Sequence, residues 1–155
     1  GCAISHMRAL QDAMVHGYDK ILILEDDFKF TITCKKLNNY LNILDKEFGD
    51  WDVIQFSTIN SKSNPSRVGG INRVVKADTT AGYGIKAKNI TLLFNIFKGC
   101  LNPNNLVKTN NYAIDVAWQY LQPKLNWYIF EPNIGKQNEN FVSDIENFRR
   151  YNWSS

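Results

Sequence analysis

The sequence predicts an α/β domain built on a largely parallel or mixed sheet with helices packed against it. Three observations carry that expectation. Apolar runs of strand length alternate with segments of helical periodicity. The segments are separated by short stretches marked by Gly, Pro or Asn. The 155 residues are one domain's worth of chain, and 44% hydrophobic with 21% charged residues is an ordinary globular composition able to bury a core.

The elements follow in order. Met7, Leu10 and Met14 fall at helical spacing between Ser5 and His16, with Ser5 placed to cap the helix and Gly17 to end it. Lys20-Ile21-Leu22-Ile23-Leu24 is a continuous apolar, β-branched run and reads as a buried central strand. It stops at Glu25-Asp26-Asp27. Leu37, Tyr40, Leu41, Leu44 and Phe48 form the clearest amphipathic stripe, and Gly49-Asp50 breaks it. Trp51 to Ser57 reads as a second buried strand. Asn60 to Gly70, with Pro65, Gly69, Gly70 and three serines, reads as a loop. Residues 71–86 carry short strands, ending in Ala81-Gly82-Tyr83-Gly84-Ile85. A helix is expected from about Ala87 to Lys98, closed by Gly99 and Pro103, and another over 112–121, stopped before Pro123. Trp127 to Phe130 is a short aromatic strand. The tail from Asn133 is polar with embedded aromatics.

Composition excludes several classes of function. No apolar run approaches the ~18 residues that a membrane-spanning helix needs. The net charge of +3, from 18 basic and 15 acidic residues, is small and scattered, so no nucleic-acid partner is expected. Cys2, Cys34 and Cys100 are odd in number and far apart, which argues against a disulfide framework or a cysteine-rich zinc module. The aromatic residues crowding the C-terminal third read mainly as core, with one or two available to stack on a sugar face.

The chemistry concentrates at Glu25-Asp26-Asp27. Three adjacent carboxylates repel one another, and at the end of a buried strand they lie where α/β folds hold ligands. A hard divalent cation relieves that repulsion, and oxygen ligands suit Mn²⁺ or Mg²⁺. Strand alternation puts Glu25 and Asp27 on one side, able to converge on one ion. A solvated acidic turn is the alternative. Asp115, set among Ile114, Val116, Ala117 and Trp118, is a conspicuous carboxylate and a candidate general base, or else a first-turn acid favoured by the helix dipole. Asp144 is the second candidate.

Gly1-Cys2-Ala3-Ile4-Ser5-His6, a helix, and then Ile21-Leu22-Ile23-Leu24-Glu25-Asp26-Asp27 resemble glycosyltransferase family 25. That family includes bacterial lipopolysaccharide glycosyltransferases and procollagen galactosyltransferases. Trp51-Asp52-Val53-Ile54, Ala81-Gly82-Tyr83-Gly84-Ile85, Ile114-Asp115 and Ser143-Asp144-Ile145 agree in order, so the resemblance covers about residues 1–146. It implies a GT-A-like fold and inverting transfer of a hexose, galactose or glucose, from a UDP-sugar to a glycan or a hydroxylysine-type side chain.

By this resemblance Asp27 binds Mn²⁺ (or Mg²⁺) directly, Glu25 assists through the metal or the donor ribose, and Asp26 positions the donor sugar. Ser5, His6 and Tyr83 belong to the donor site. No histidine follows His16, so Gln137 or Asp144 would have to stand in for the C-terminal histidine ligand common in GT-A folds, or water fills the position. The compartment is expected to be cytoplasmic, of bacterial or viral type, with the endoplasmic reticulum or Golgi lumen as the alternative. The family's first strand and nucleotide-binding region lie upstream of the position matching Gly1. The chain is therefore expected to be a single, N-terminally truncated domain whose Lys20–Leu24 strand has one side poorly covered. Two other readings are a non-catalytic carbohydrate-binding remnant and a metal-dependent hydrolase or nuclease, the latter lacking a second carboxylate cluster.

Overall fold

A computed structural model describes residues 2–102, 104 and 113–138. Helix α1, Cys2–His16, buries His6, Leu10 and Ala13 on one face. It starts at Cys2, so Ser5 lies inside the helix, not at its cap. Gly17, at φ 68°, ends it, as its freedom to adopt a left-handed conformation allows.

The main sheet has six strands in the order β1-β6-β3-β7-β5-β4. These are β1 Lys20–Leu24, β3 Val53–Gln55, β4 Ile59–Pro65, β5 Ile71–Asp78, β6 Gly82–Lys86 and β7 Trp127–Phe130. Among the described strands only β3 and β7 pair in parallel; the other neighbours are antiparallel. The sheet is thus mixed and mostly antiparallel. Helices α2, Cys34–Glu47, and α3, Ile90–Gly99, supply its cover together with α1. Alternation along the central strands separates two cores. Val53, Trp127 and Ile129 pack with Leu10, Leu93 and Phe97 on one face; Ile54, Tyr128 and Phe130 pack with Leu44 and Phe48 on the other. Thr33 caps α2, its hydroxyl accepting the Lys36 N–H at 3.2 Å.

Four expectations need correction. β1 is not central. It is an edge strand in which Ile23 is buried while Leu22 and Leu24 are 47% and 43% exposed. Apolar composition marks a strand but does not say how many neighbours it has. Its side away from β6 pairs with no described strand. Second, the segment read as a loop contains β4. Its serines and asparagines lie in a hairpin with β5 that stands largely in solvent, so no apolar period marks it, and Pro65 sits at its end. Third, a two-stranded ribbon joins β2, Phe28–Phe30, to β8, Gly135–Gln137. Strands of three residues are too short to show a period. The helix expected over 112–121 is a single α turn, α4, Ile114–Ala117, followed by a 3₁₀ turn, Trp118–Tyr120.

The ribbon is seated by one side chain. The Phe28 ring lies against Gly82 of β6 and Gly135 of β8, and a Cβ on Gly82 would come within 2.6 Å of it. This packing holds the start of β2, and the acidic turn before it, against β6.

Candidate functional site

β1 ends at Leu24, and the chain turns at once. The Glu25 N–H donates to the Ala81 carbonyl at 2.8 Å, and the Phe28 N–H donates back to the Glu25 carbonyl at 3.0 Å. Glu25 and Asp27 are therefore brought together by a turn over 25–28, not by strand alternation. Asp26 is exposed on this turn. From β8, the Gln137 amide donates to Asp27 Oδ2 at 3.1 Å and lies 3.5 Å from Glu25 Oε2. Asp27 Oδ1 is buried and has no hydrogen-bond partner among the described residues. Burial, and then the charge of Glu25, raise the pKa of Asp27. Two converging carboxylates, one with an orphaned oxygen, beside an amide form a donor set of the kind that holds a hard divalent cation.

Glu25 divides its oxygens between two neighbourhoods. Oε2 faces Gln137. Oε1 accepts from the Thr80 hydroxyl at 2.9 Å, His6 Nε2 at 3.1 Å and the Cys2 thiol at 3.4 Å. Burial alone would raise the pKa of Glu25, but the bonds from His6 and Thr80 outweigh it and hold the carboxyl below its ordinary value. Desolvation around its sulfur, reinforced by the Glu25 charge, pushes the Cys2 thiol up to about 12.

His6 is 3% exposed and fixed on all sides. A carboxylate only accepts, so Nε2 carries the hydrogen, and in the neutral ring Nδ1 then accepts from the Tyr83 hydroxyl at 3.0 Å. The two rings stack at 5.7 Å, and Phe97 meets His6 edge-on at 5.9 Å. Tyr83 is fully buried behind the histidine.

Asp115 joins the same rim through two consecutive residues. Its Oδ2 accepts the Thr79 N–H at 3.3 Å, and the next residue, Thr80, is the one bonded to Glu25. Its charge also acts on the Cys2 thiol. Thr79 sits at φ 74°, a conformation that β-branched residues avoid. The Gln55 amide donates to the Thr79 carbonyl at 3.0 Å, and Gln55 is itself held by the Trp127 indole N–H at 2.8 Å.

The structure thus gathers Glu25, Asp27, Gln137, His6 and, through Thr79-Thr80, Asp115. It does not give every expected residue a place at the surface of this site. Ser5 is exposed on α1, and Tyr83 has no accessible surface. Asp144 lies outside the described residues. Sequence reading passed over Cys2, Thr79 and Thr80. The Cys2–His6 spacing of four on a helix could have pointed to the first; nothing local marks the two threonines. No protein-family model matches the chain, and no curated protein matches it significantly.

Proposed function

We propose that the protein is a metal-dependent inverting glycosyltransferase of GT-A-like architecture. It would move a hexose from a UDP-sugar to a hydroxyl of a glycan or a protein side chain. The observation that carries this reading is the convergence of Glu25, Asp27 and Gln137 on one rim, with Asp115 tied to that rim by Thr79-Thr80. The motif resemblance supplies the reaction class.

The residues fit the chemistry. Glu25 Oε2, the Asp27 carboxylate and the Gln137 side chain would hold Mn²⁺ or Mg²⁺. When bound, such an ion offsets the charge that builds on a departing diphosphate. Asp26 is exposed on the turn and would meet the donor hydroxyls there. In the transfer, the acceptor oxygen attacks the anomeric carbon opposite the diphosphate. The bond from that carbon to the diphosphate oxygen breaks, and its electron pair leaves with the nucleotide. The Asp115 carboxylate takes the acceptor's hydroxyl proton, oriented by the Thr79 N–H on its Oδ2.

The test is release of UDP from a panel of UDP-hexoses with Mn²⁺, alongside calorimetry. Asp27→Asn is expected to lose Mn²⁺-dependent UDP binding with an unchanged circular dichroism spectrum. Asp115→Asn should keep binding but slow transfer by roughly 10²–10⁴. Failure to bind UDP with Mn²⁺, or wild-type transfer by Asp115→Asn, overturns the assignment.

A further inference from the structure

We infer that Cys2, His6 and Glu25 form a binding site for a zinc-class cation, with Tyr83 as the positioning residue behind it. The site is distinct from the oxygen-rich face that Glu25 shares with Asp27, and it stands whether or not the protein transfers sugar.

The ligand atoms already converge. Cys2 Sγ, one ring nitrogen of His6 and one carboxylate oxygen of Glu25 all lie within 4.8 Å of one another. The Nε2–Oε1 and Sγ–Oε1 separations are 3.1 and 3.4 Å. Tetrahedral zinc with bonds of ~2.0–2.3 Å sets its ligand atoms about 3.3–3.8 Å apart, so side-chain adjustments of up to about 1.5 Å would admit the ion. Cys2 and His6 are four apart on α1, so one helical face presents both.

The donor set selects the metal. A thiolate and an imidazole are soft or borderline ligands and favour zinc over manganese or magnesium. One carboxylate completes a set of three, and the exposed Cys2 leaves the fourth position toward solvent. The groups that hold these ligands in position are also present. Tyr83 fixes the far nitrogen of His6, and Thr80 holds the Glu25 oxygen.

The protons balance. With a neutral imidazole, the thiol carries one hydrogen before the ion binds, His6 Nε2 carries another, and Tyr83 donates to Nδ1. On binding, the sulfur gives its proton to solvent. The imidazole changes tautomer, so that Nε2 binds the ion and Nδ1–H donates to the Tyr83 oxygen. One proton is released per ion, with no change of oxidation state.

The test uses the whole chain, metal-stripped, titrated with Zn²⁺ against a chromophoric chelator and separately with Co²⁺. One equivalent of Zn²⁺ should bind, and Co²⁺ should give a near-ultraviolet thiolate charge-transfer band. Cys2→Ser, at an exposed position, should abolish the band and weaken Zn²⁺ at least roughly tenfold. Tyr83→Phe should keep the band and weaken Zn²⁺ roughly 10–100-fold, as loss of an outer-shell partner does. Cys34→Ser should change neither. Absence of the band in the wild type, or Cys2→Ser binding Zn²⁺ as tightly as the wild type, overturns the site. UDP binding with Mn²⁺ is scored separately, so this inference and the transferase reading fail on different measurements.

Discussion

Thr79 concentrates strain at the point where the site is assembled. A non-glycine residue at φ 74° costs about 1–2 kcal/mol, and strain of this kind persists only where neighbours enforce it. Here Gln55 holds its carbonyl, Asp115 accepts its N–H, and its own hydroxyl accepts the Ala81 N–H at 3.2 Å. Replacement by Gly relieves the strain, whereas replacement by Ala keeps it; both lose the hydroxyl. Thr79→Gly should therefore be more stable than Thr79→Ala by about 1 kcal/mol in urea unfolding. Charge at the site gives a second expectation. Glu25 titrates below its ordinary value in the folded chain, so its stabilisation is fully present above the unfolded-state pKa of about 4.3. It is lost as pH falls through the lower folded value. Asp45 and Asp52, held by Lys20 and Lys88 against the cost of burial, act with the same sign. Asp27 has the opposite sign: its raised pKa means that ionisation disfavours the fold at neutral pH. Stability should thus fall below about pH 4, and Glu25→Gln should flatten that acid limb. Asp27→Asn should raise the metal-free melting temperature at pH 7, at the expense of metal binding.

The elements that matter most are among the least conspicuous. β2 and β8 have three residues each, yet they bring Gln137 to the acidic turn. Their seating depends on the Phe28 ring, which occupies the space that side chains at Gly82 and Gly135 would need. Gly135→Ala must push that ring out of its contacts with Phe30 and Phe56. Overpacking of this kind costs about 1–3 kcal/mol. The variant should lose that much stability in denaturant unfolding and should also weaken Mn²⁺ binding, because Asp27 immediately precedes the displaced residue. A melting temperature and Mn²⁺ affinity equal to the wild type would show that the ribbon is not what positions the turn.

Across the whole molecule the sheet is unevenly protected. β3 and β7 lie between two cores, while β1 has β6 on one side and no described strand on the other. A groove lined by Ile21, Leu22, Leu41, Leu44 and Trp51 runs between β1 and α2. Unpaired backbone groups on such an edge must be satisfied by solvent or another chain. Amide exchange reads this directly. The outward-facing amides of β1 should exchange at least about a hundredfold faster than those of Val53–Gln55, which should open only with the whole domain. Uniform protection across both strands would mean that the β1 edge is covered in solution.

The sequence by itself determined the alternation of strands and helices, the apolar stripe of α2, the burial of β3 and the acidic triplet after Leu24. Each rests on local periodicity or on adjacent residues, which a chain displays before it folds. Only the tertiary structure decided that β1 is an edge and that the polar segment after Ile59 is a strand. It also decided that Glu25 turns one oxygen to Cys2, His6 and Thr80 and the other toward Gln137. These depend on contacts between residues as far apart as Glu25 and Gln137, and on strands whose neighbours, not their composition, fix their burial. Pairing across such separations leaves no local period. The acidic triplet was therefore legible in the chain, while the turn that folds it and the partners that orient it were not.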